Sequence, residues 1–162
     1  MMNIRDLTIN VESPVPSAYP VIIEKGGVSH VLLIQLDASQ DHEKAYGVIR
    51  GLFEANDFSA VRDNELLLNM DHTLINQGIQ CNVSAAILNV NHESKIVSLS
   101  AVGKILVFKK ILINQESVVF RRNMNGLGQG VYPAQLLVRI GAYDSLKIVM
   151  SGEFSENICE IS

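Results

Sequence analysis

Val31-Leu32-Leu33-Ile34-Gln35-Leu36 is a near-continuous run of β-favouring apolar residues. Its length predicts a strand buried on both faces. It ends in Asp37, and Ala38-Ser39-Gln40-Asp41-His42-Glu43-Lys44-Ala45 follows, so a carboxylate stands where the strand gives way to a helix. Ahead of it, Leu7 to Val11 alternates apolar and polar residues and predicts an opening strand. Ser13-Pro14-Val15-Pro16-Ser17 breaks that strand, because proline fixes φ and removes a donor. Tyr19 to Glu24 predicts a second strand. Lys25-Gly26-Gly27 then turns the chain, pairing strands two and three as a hairpin.

Past Asp41, which suits an N-cap, the period changes. Ala45, Val48, Ile49, Leu52 and Phe53 recur at helical spacing, and Asn56-Asp57-Phe58-Ser59 ends that helix. A second helix is expected from about Ala60 to Asn76, with Val61, Leu66, Leu67, Met70, Leu74 and Ile75 on its apolar side and Gln77-Gly78 as its stop. Everything later reads as strand: Val83–Val90, Ile96–Ala101, a kink at Val102-Gly103, Ile105–Phe108, a short Val118–Phe120, a glycine-rich loop from Asn123 to Gly130, then Gln135–Ile140, Ser145–Met150 and Asn157–Ile161. Strands, two adjacent helices and many more strands exclude a doubly wound βαβ fold. They predict an α+β domain in which the helices pack on one face of an antiparallel sheet and the late strands supply a second sheet.

Length and composition narrow this further. The 162 residues suit one domain spanning 1–162, or one module of something longer. Hydrophobic residues make up 48 % and mean hydropathy is +0.21, ample for a core, which must be built on Ile, Leu and Val because Trp is absent. Net charge is −4 and the only adjacent basic pairs are Lys109-Lys110 and Arg121-Arg122, which argues against nucleic acid as partner. No apolar run reaches the ~20 residues that span a bilayer. Cys81 and Cys159 stand far apart without a CxxC or a secretory leader, so reduced thiols in a cytoplasmic protein are expected.

Asp37-Ala38-Ser39-Gln40-Asp41-His42 at the strand end, Leu68-Asn69 in the second helix, the small residues of Val83-Ser84-Ala85-Ala86, Ser100-Ala101-Val102-Gly103-Lys104, Leu127-Gly128, and Asp144 leading to Ser151-Gly152 occur in a telling order. Together they resemble the PP2C-like (PPM) phosphatases of the SpoIIE and RsbU type. That resemblance implies a PP2C-like sandwich of antiparallel sheets. It also implies a site in which two Mg²⁺ or Mn²⁺ ions, held by strand-terminal carboxylates, activate a water and neutralise phosphoryl oxygens. Much of that chemistry is missing. Ser17-Ala18-Tyr19-Pro20 stands where the family has Gly-Asp, Gln40 replaces a glycine, Ser151 replaces an Asp, and the chain is expected to stop before the family's terminal Asp-Asp region. Asp37 is the vestigial metal candidate. Asp41 and Glu153 are substitutes, against simpler roles as a helix cap and a solvated turn residue, and Asp37 itself competes with a role as a turn acceptor.

Other chemistry is weaker still. His30, His42, His72 and His92 lie on different elements at no metal-ligand spacing. Asp71 and His72, adjacent on a helix, point apart. Gly126-Leu127-Gly128-Gln129-Gly130 looks like a phosphate cradle but precedes a strand, not a helix N-terminus.

The early stop and the stretch from Tyr143-Asp144-Ser145-Leu146 to Met150-Ser151-Gly152 resemble the C-terminal domain of RssB-type response regulators. The expectation is a pseudophosphatase with no catalytic residues and no cofactor. It would be an adaptor or output domain in bacterial signalling that binds a sigma factor, an anti-sigma component or a regulatory domain. Contact patches are expected around Phe53 and Phe58 and on the loop carrying Leu127 and Tyr132. Self-association through a strand edge, giving a homodimer, is compatible with this. The alternative is a metal-dependent protein serine/threonine phosphatase with an altered site built from Asp37, Asp41 and Glu153.

Overall fold

A computed structural model describes residues 7–12, 20–36, 41–111, 115–151 and 156–162. Among these are ten strands and two helices in the order β1 (Ile9–Glu12), β2 (Val21–Lys25), β3 (Val28–Gln35), α1 (His42–Glu54), α2 (Asp63–Asn76), β4 (Ser84–Asn91), β5 (Ile96–Val102), β6 (Lys104–Ile111), β7 (Gln115–Asn123), β8 (Ala134–Arg139), β9 (Ser145–Ser151) and β10 (Glu156–Ile161). They form two five-stranded antiparallel sheets, sheet A ordered β1-β10-β9-β6-β7 and sheet B ordered β2-β3-β4-β5-β8.

The sequence pattern explains the layering. β3 and β4 sit between neighbours in sheet B and are buried on both faces, which is why both read as unbroken apolar runs. Their alternate residues serve two cores. Val31, Leu33, Ala86, Leu88, Val97 and Leu99 meet Ile105, Val107, Ile148 and Met150 of sheet A, filling the space between the sheets. Leu32, Ile34, Ala85 and Ile87 face the opposite way and receive Ala45, Ile49 and Phe53 of α1 and Leu66, Leu67, Met70 and Leu74 of α2. Both helices therefore lie on the far side of sheet B. The β2–β3 hairpin forms as expected, with Gly26 and Gly27 at φ +58° and +77° in its turn.

The kink expected at Val102-Gly103 is a change of sheet. β5 ends at Val102 in sheet B, β6 begins at Lys104 in sheet A, and Gly103 alone joins them at φ +88°. An added Cβ there would lie 2.3 Å from Ser84 Oγ and 2.7 Å from Ser84 Cα, so the crossing needs glycine for both conformation and space. The Lys104 amide donates to Ser84 Oγ at 2.9 Å, fixing the junction.

Two expectations shift. β7 runs over nine residues instead of Val118–Phe120 alone. It is an edge strand exposed along most of its length, so no alternation marked its ends. α2 begins at Asp63, because Asp57 first closes a tight turn: its Oδ1 accepts from Ser59 N at 3.1 Å and Ser59 Oγ at 2.6 Å, and its carbonyl accepts from Ala60 and Val61. These hydrogen bonds also hold the Asp57 carboxyl below its ordinary pKa. Cys81 and Cys159 are buried free thiols. Burial pushes Cys81 upward and Cys159 up to about 12, so both stay protonated and unreactive.

Candidate functional site

Asp37 and Glu153 lie outside the described residues, as do Ser17 to Tyr19 and Gly152. The described part of the strand-end region is built from Gln35, Asp41, Asn157 and the junction at Ser84 and Gly103. Asp41 occupies the N-cap position of α1, but its side chain makes no cap hydrogen bond. Its Oδ2 instead accepts from the Gln80 amide at 3.0 Å, tying the start of α1 to the segment after α2. The expected helix-capping role is corrected accordingly: the carboxylate is a clasp between two segments. An open cleft of about 480 Å³ lies beside it, bounded by Asp41, Lys44, Gly47 and Gly78. Between the sheets, Asn157 donates through Nδ2 to the Ile34 carbonyl at 2.9 Å and to Gln35 Oε1 at 2.6 Å. This links β10 to the end of β3 across the core. Among the described residues no three His, Cys, Asp or Glu side chains come together as metal ligands, so the acids placed here do not fit a two-metal centre on their own.

The glycine-rich loop holds an anion that the chain itself provides. Asp71, only 2 % exposed on α2, accepts through Oδ1 from Gly128 N at 2.8 Å and Gly130 N at 3.3 Å. Gly126 N donates to Asn82 Oδ1 at 2.8 Å, Leu127 pairs with Val83 as an isolated bridge, and Gln129 Nε2 donates to the Cys81 carbonyl at 2.8 Å. The loop is structural, as its place before a strand implies, and Asp71 is its anchor. A lone Asp inside an amphipathic helix carries no sequence mark of what it will bind.

His30 and His92 are likewise occupied. His92, in the β4–β5 turn, accepts from the Leu7 amide at Nδ1 (3.1 Å) and shares a 2.7 Å bond between Nε2 and Ser29 Oγ. Because Nδ1 accepts, Nε2 carries the proton and donates to Ser29, the reverse of what a serine nucleophile would require. His30 bonds Asn89 Oδ1 and stacks on Phe58, with ring centroids 4.0 Å apart and planes at 9°.

Asn89 Nδ2 in turn donates to Asp63 Oδ2 and, at 3.3 Å, to Ser98 Oγ. Burial raises the Asp63 pKa, against the opposing pull of the Asn89 hydrogen bond and of His30. A carboxyl raised in the folded state binds its proton more tightly there. Its stabilisation is full below the unfolded value of about 3.9 and is lost as pH rises through the folded pKa. Asp63→Asn, which keeps an oxygen for Asn89, is expected to gain Tm relative to the parent as pH climbs from about 4 to 7. Parallel Tm profiles would count against this.

Of the expected contact residues, Tyr132 is open to solvent at 79 % and Phe58 is half-buried against His30 and, edge-on at 5.2 Å, Phe53. Phe53 and Leu127 are fully buried, and the surface role expected for them is corrected. Phe53 lies on the stripe of α1 that meets sheet B, and Leu127 is drawn into the same core by its bridge to Val83.

No protein-family model matches the chain, and no curated protein matches it in sequence. Solved structures match it in shape. RsbX in complex with magnesium superposes with a TM-score of 0.72 at 8 % identity, over 96 % of this chain and 94 % of that one. A bacterial serine phosphatase gives 0.72 at 10 % identity, over 98 % of each chain. The RsbU and RsbW domains of Rv1364c from Mycobacterium tuberculosis give 0.77 at 7 % identity, over 97 % of this chain and 61 % of that one. The fold is thus the PP2C-like α+β sandwich.

Proposed function

We propose that this PP2C-like domain is a non-catalytic regulatory or adaptor domain of bacterial signalling, acting by binding a protein partner such as a sigma factor, an anti-sigma component or a regulatory domain. The observation that supports it is how the described acids are used. Asp41 holds Gln80, Asp63 holds Asn89 and Asp71 holds the glycine loop. Each serves the scaffold, and no three stand together as ligands among the described residues. Neighbouring folds fit a regulatory setting: one is from the bacterial stressosome, and another, PppA, is a key regulatory component of T6SS in Pseudomonas aeruginosa.

A second reading has its own support, since serine phosphatases share the fold. In it Asp37, Asp41 and Glu153 hold Mg²⁺ or Mn²⁺, and the metal would polarise the phosphoryl group and activate water. Titration of the purified chain with Mn²⁺, followed by Tm and by hydrolysis of an aryl phosphate, tests the choice. The adaptor reading expects no change in Tm and no turnover at millimolar metal. A saturable Tm rise accompanied by turnover would replace it with the phosphatase reading. Each metal site bound at micromolar affinity would add about 4 kcal/mol at a thousandfold excess of free metal over its dissociation constant, a shift no melting curve would miss.

A further inference from the structure

The two faces of sheet A are treated differently. One packs on sheet B, and the other points away from both helices, which lie beyond sheet B. Among the described residues no helix covers this outer face. Strand alternation places two rows of residues on it: Glu12, Ile158, Val149, Leu106 and Arg121, and beside them Asn10, Glu160, Lys147, Phe108 and Val118. Leu106, Phe108, Val149 and Ile158 are only half-buried and Val118 is 48 % exposed, so an apolar band crosses four strands.

Charge on this face is sorted by strand. The β1–β10 side carries exposed Glu12 and Glu160. The β6–β7 side carries exposed Lys104, Lys110 and Arg121, with Glu116 as its one acid. Lys147, on central β9, is already matched: its Nζ lies 3.3 Å from Glu116 Oε1 and 5.0 Å from the centre of the Phe108 ring.

We propose that this outer face binds a second copy of the same chain, about a two-fold axis running parallel to the strands along β9. Rotation about that axis lays the β1–β10 side of one copy over the β7–β6 side of the other. Within one row Glu12 then meets Arg121 of the second copy, Ile158 meets its Leu106, and Val149 meets its Val149. In the other row Glu160 meets the second copy's Phe108, beside its Lys147, and Lys147 faces its own counterpart, each ammonium held by Glu116 of its own copy. An axis at right angles to the strands, along that same row, would set Glu12 on Glu12 and Arg121 on Arg121. The charges therefore select one of the two symmetric stackings while the apolar band supplies the contact. Pairing through the free edge of β7 is the weaker route: Val119 bulges out of register, and Glu116, Arg121 and Arg122 line that edge. This inference is independent of whether the domain turns over a substrate.

Sedimentation equilibrium of the whole chain at about 100 µM, where a micromolar complex is nearly fully formed, tests it. A dimer is expected at low salt, with weaker association as salt screens the rim. Arg121→Glu and Glu12→Arg are each expected to weaken association about tenfold, and combining them to restore it to within about threefold. Phe108→Asp is expected to leave a monomer with unchanged far-UV circular dichroism. A monomer at every concentration would overturn the proposal. So would a dimer indifferent to these substitutions, or one in which the double reversal stays as weak as the singles.

Discussion

Gly103→Ala is expected to be among the most damaging single substitutions in the chain. The new Cβ would sit 2.3 Å from Ser84 Oγ and 2.7 Å from the Ser84 Cα, and backbone cannot retreat as a side chain can. It would also force alanine to φ +88°, where L-residues with a Cβ are strained. Strain of about 1–3 kcal/mol and overpacking of similar size add to roughly 2–6 kcal/mol, against a typical domain stability of about 5–15. The clash falls on the Lys104 amide to Ser84 Oγ bond, so relief by moving Ser84 would break the contact that sets where the chain leaves sheet B. Urea unfolding measures the effect as a lowered midpoint. A loss below about 1 kcal/mol would mean the junction is softer than its geometry indicates.

Asp71→Ala is the second. It strands the Gly128 and Gly130 amides, which donate to one buried carboxylate oxygen, and removes the link between α2 and the loop. Hydrogen bonds to a charged group are worth about 1.5–3 kcal/mol, and the unpaired donors add a desolvation cost, so a loss of about 3 kcal/mol is expected. Asp71→Asn keeps an oxygen acceptor and should lose less. Hydrogen exchange distinguishes a local from a diffuse effect: the Gly128 and Gly130 amides should lose protection in the alanine variant while those of β4 keep theirs. Equal loss everywhere would show that Asp71 is only one more buried group.

The fold was legible wherever burial imposes a period. β3 and β4 are unbroken apolar runs and α1 a periodic one; the expected bounds of α1 and β4 fall within a residue or two of those found, and β3 begins three residues before its apolar run. Legibility failed where an element has little to bury. β7 is polar and exposed, so only its Val118–Phe120 centre was visible, and the first turn of α2 was claimed by the Asp57 turn. The candidate site was less legible for a different reason. Position along the chain says that Asp41 begins a helix but not that its oxygen will turn to Gln80, a residue 39 positions away. Helical spacing puts Phe53 at the margin of a stripe without saying how broad the stripe is, and the structure buries it fully. Local geometry on α2 rules out a pairing of Asp71 with His72 but does not show its partners, which lie 57 and 59 residues further on.

The single-residue passage at Gly103 bears on how the molecule comes apart. With β5 in one sheet and β6 in the other, no linker absorbs slack between them. Peeling either layer drags the adjoining strand of its neighbour out of register. The inter-sheet core and the helix-side core are therefore coupled mechanically as well as by contact, and denaturation should proceed as one cooperative event without a half-open sandwich along the way.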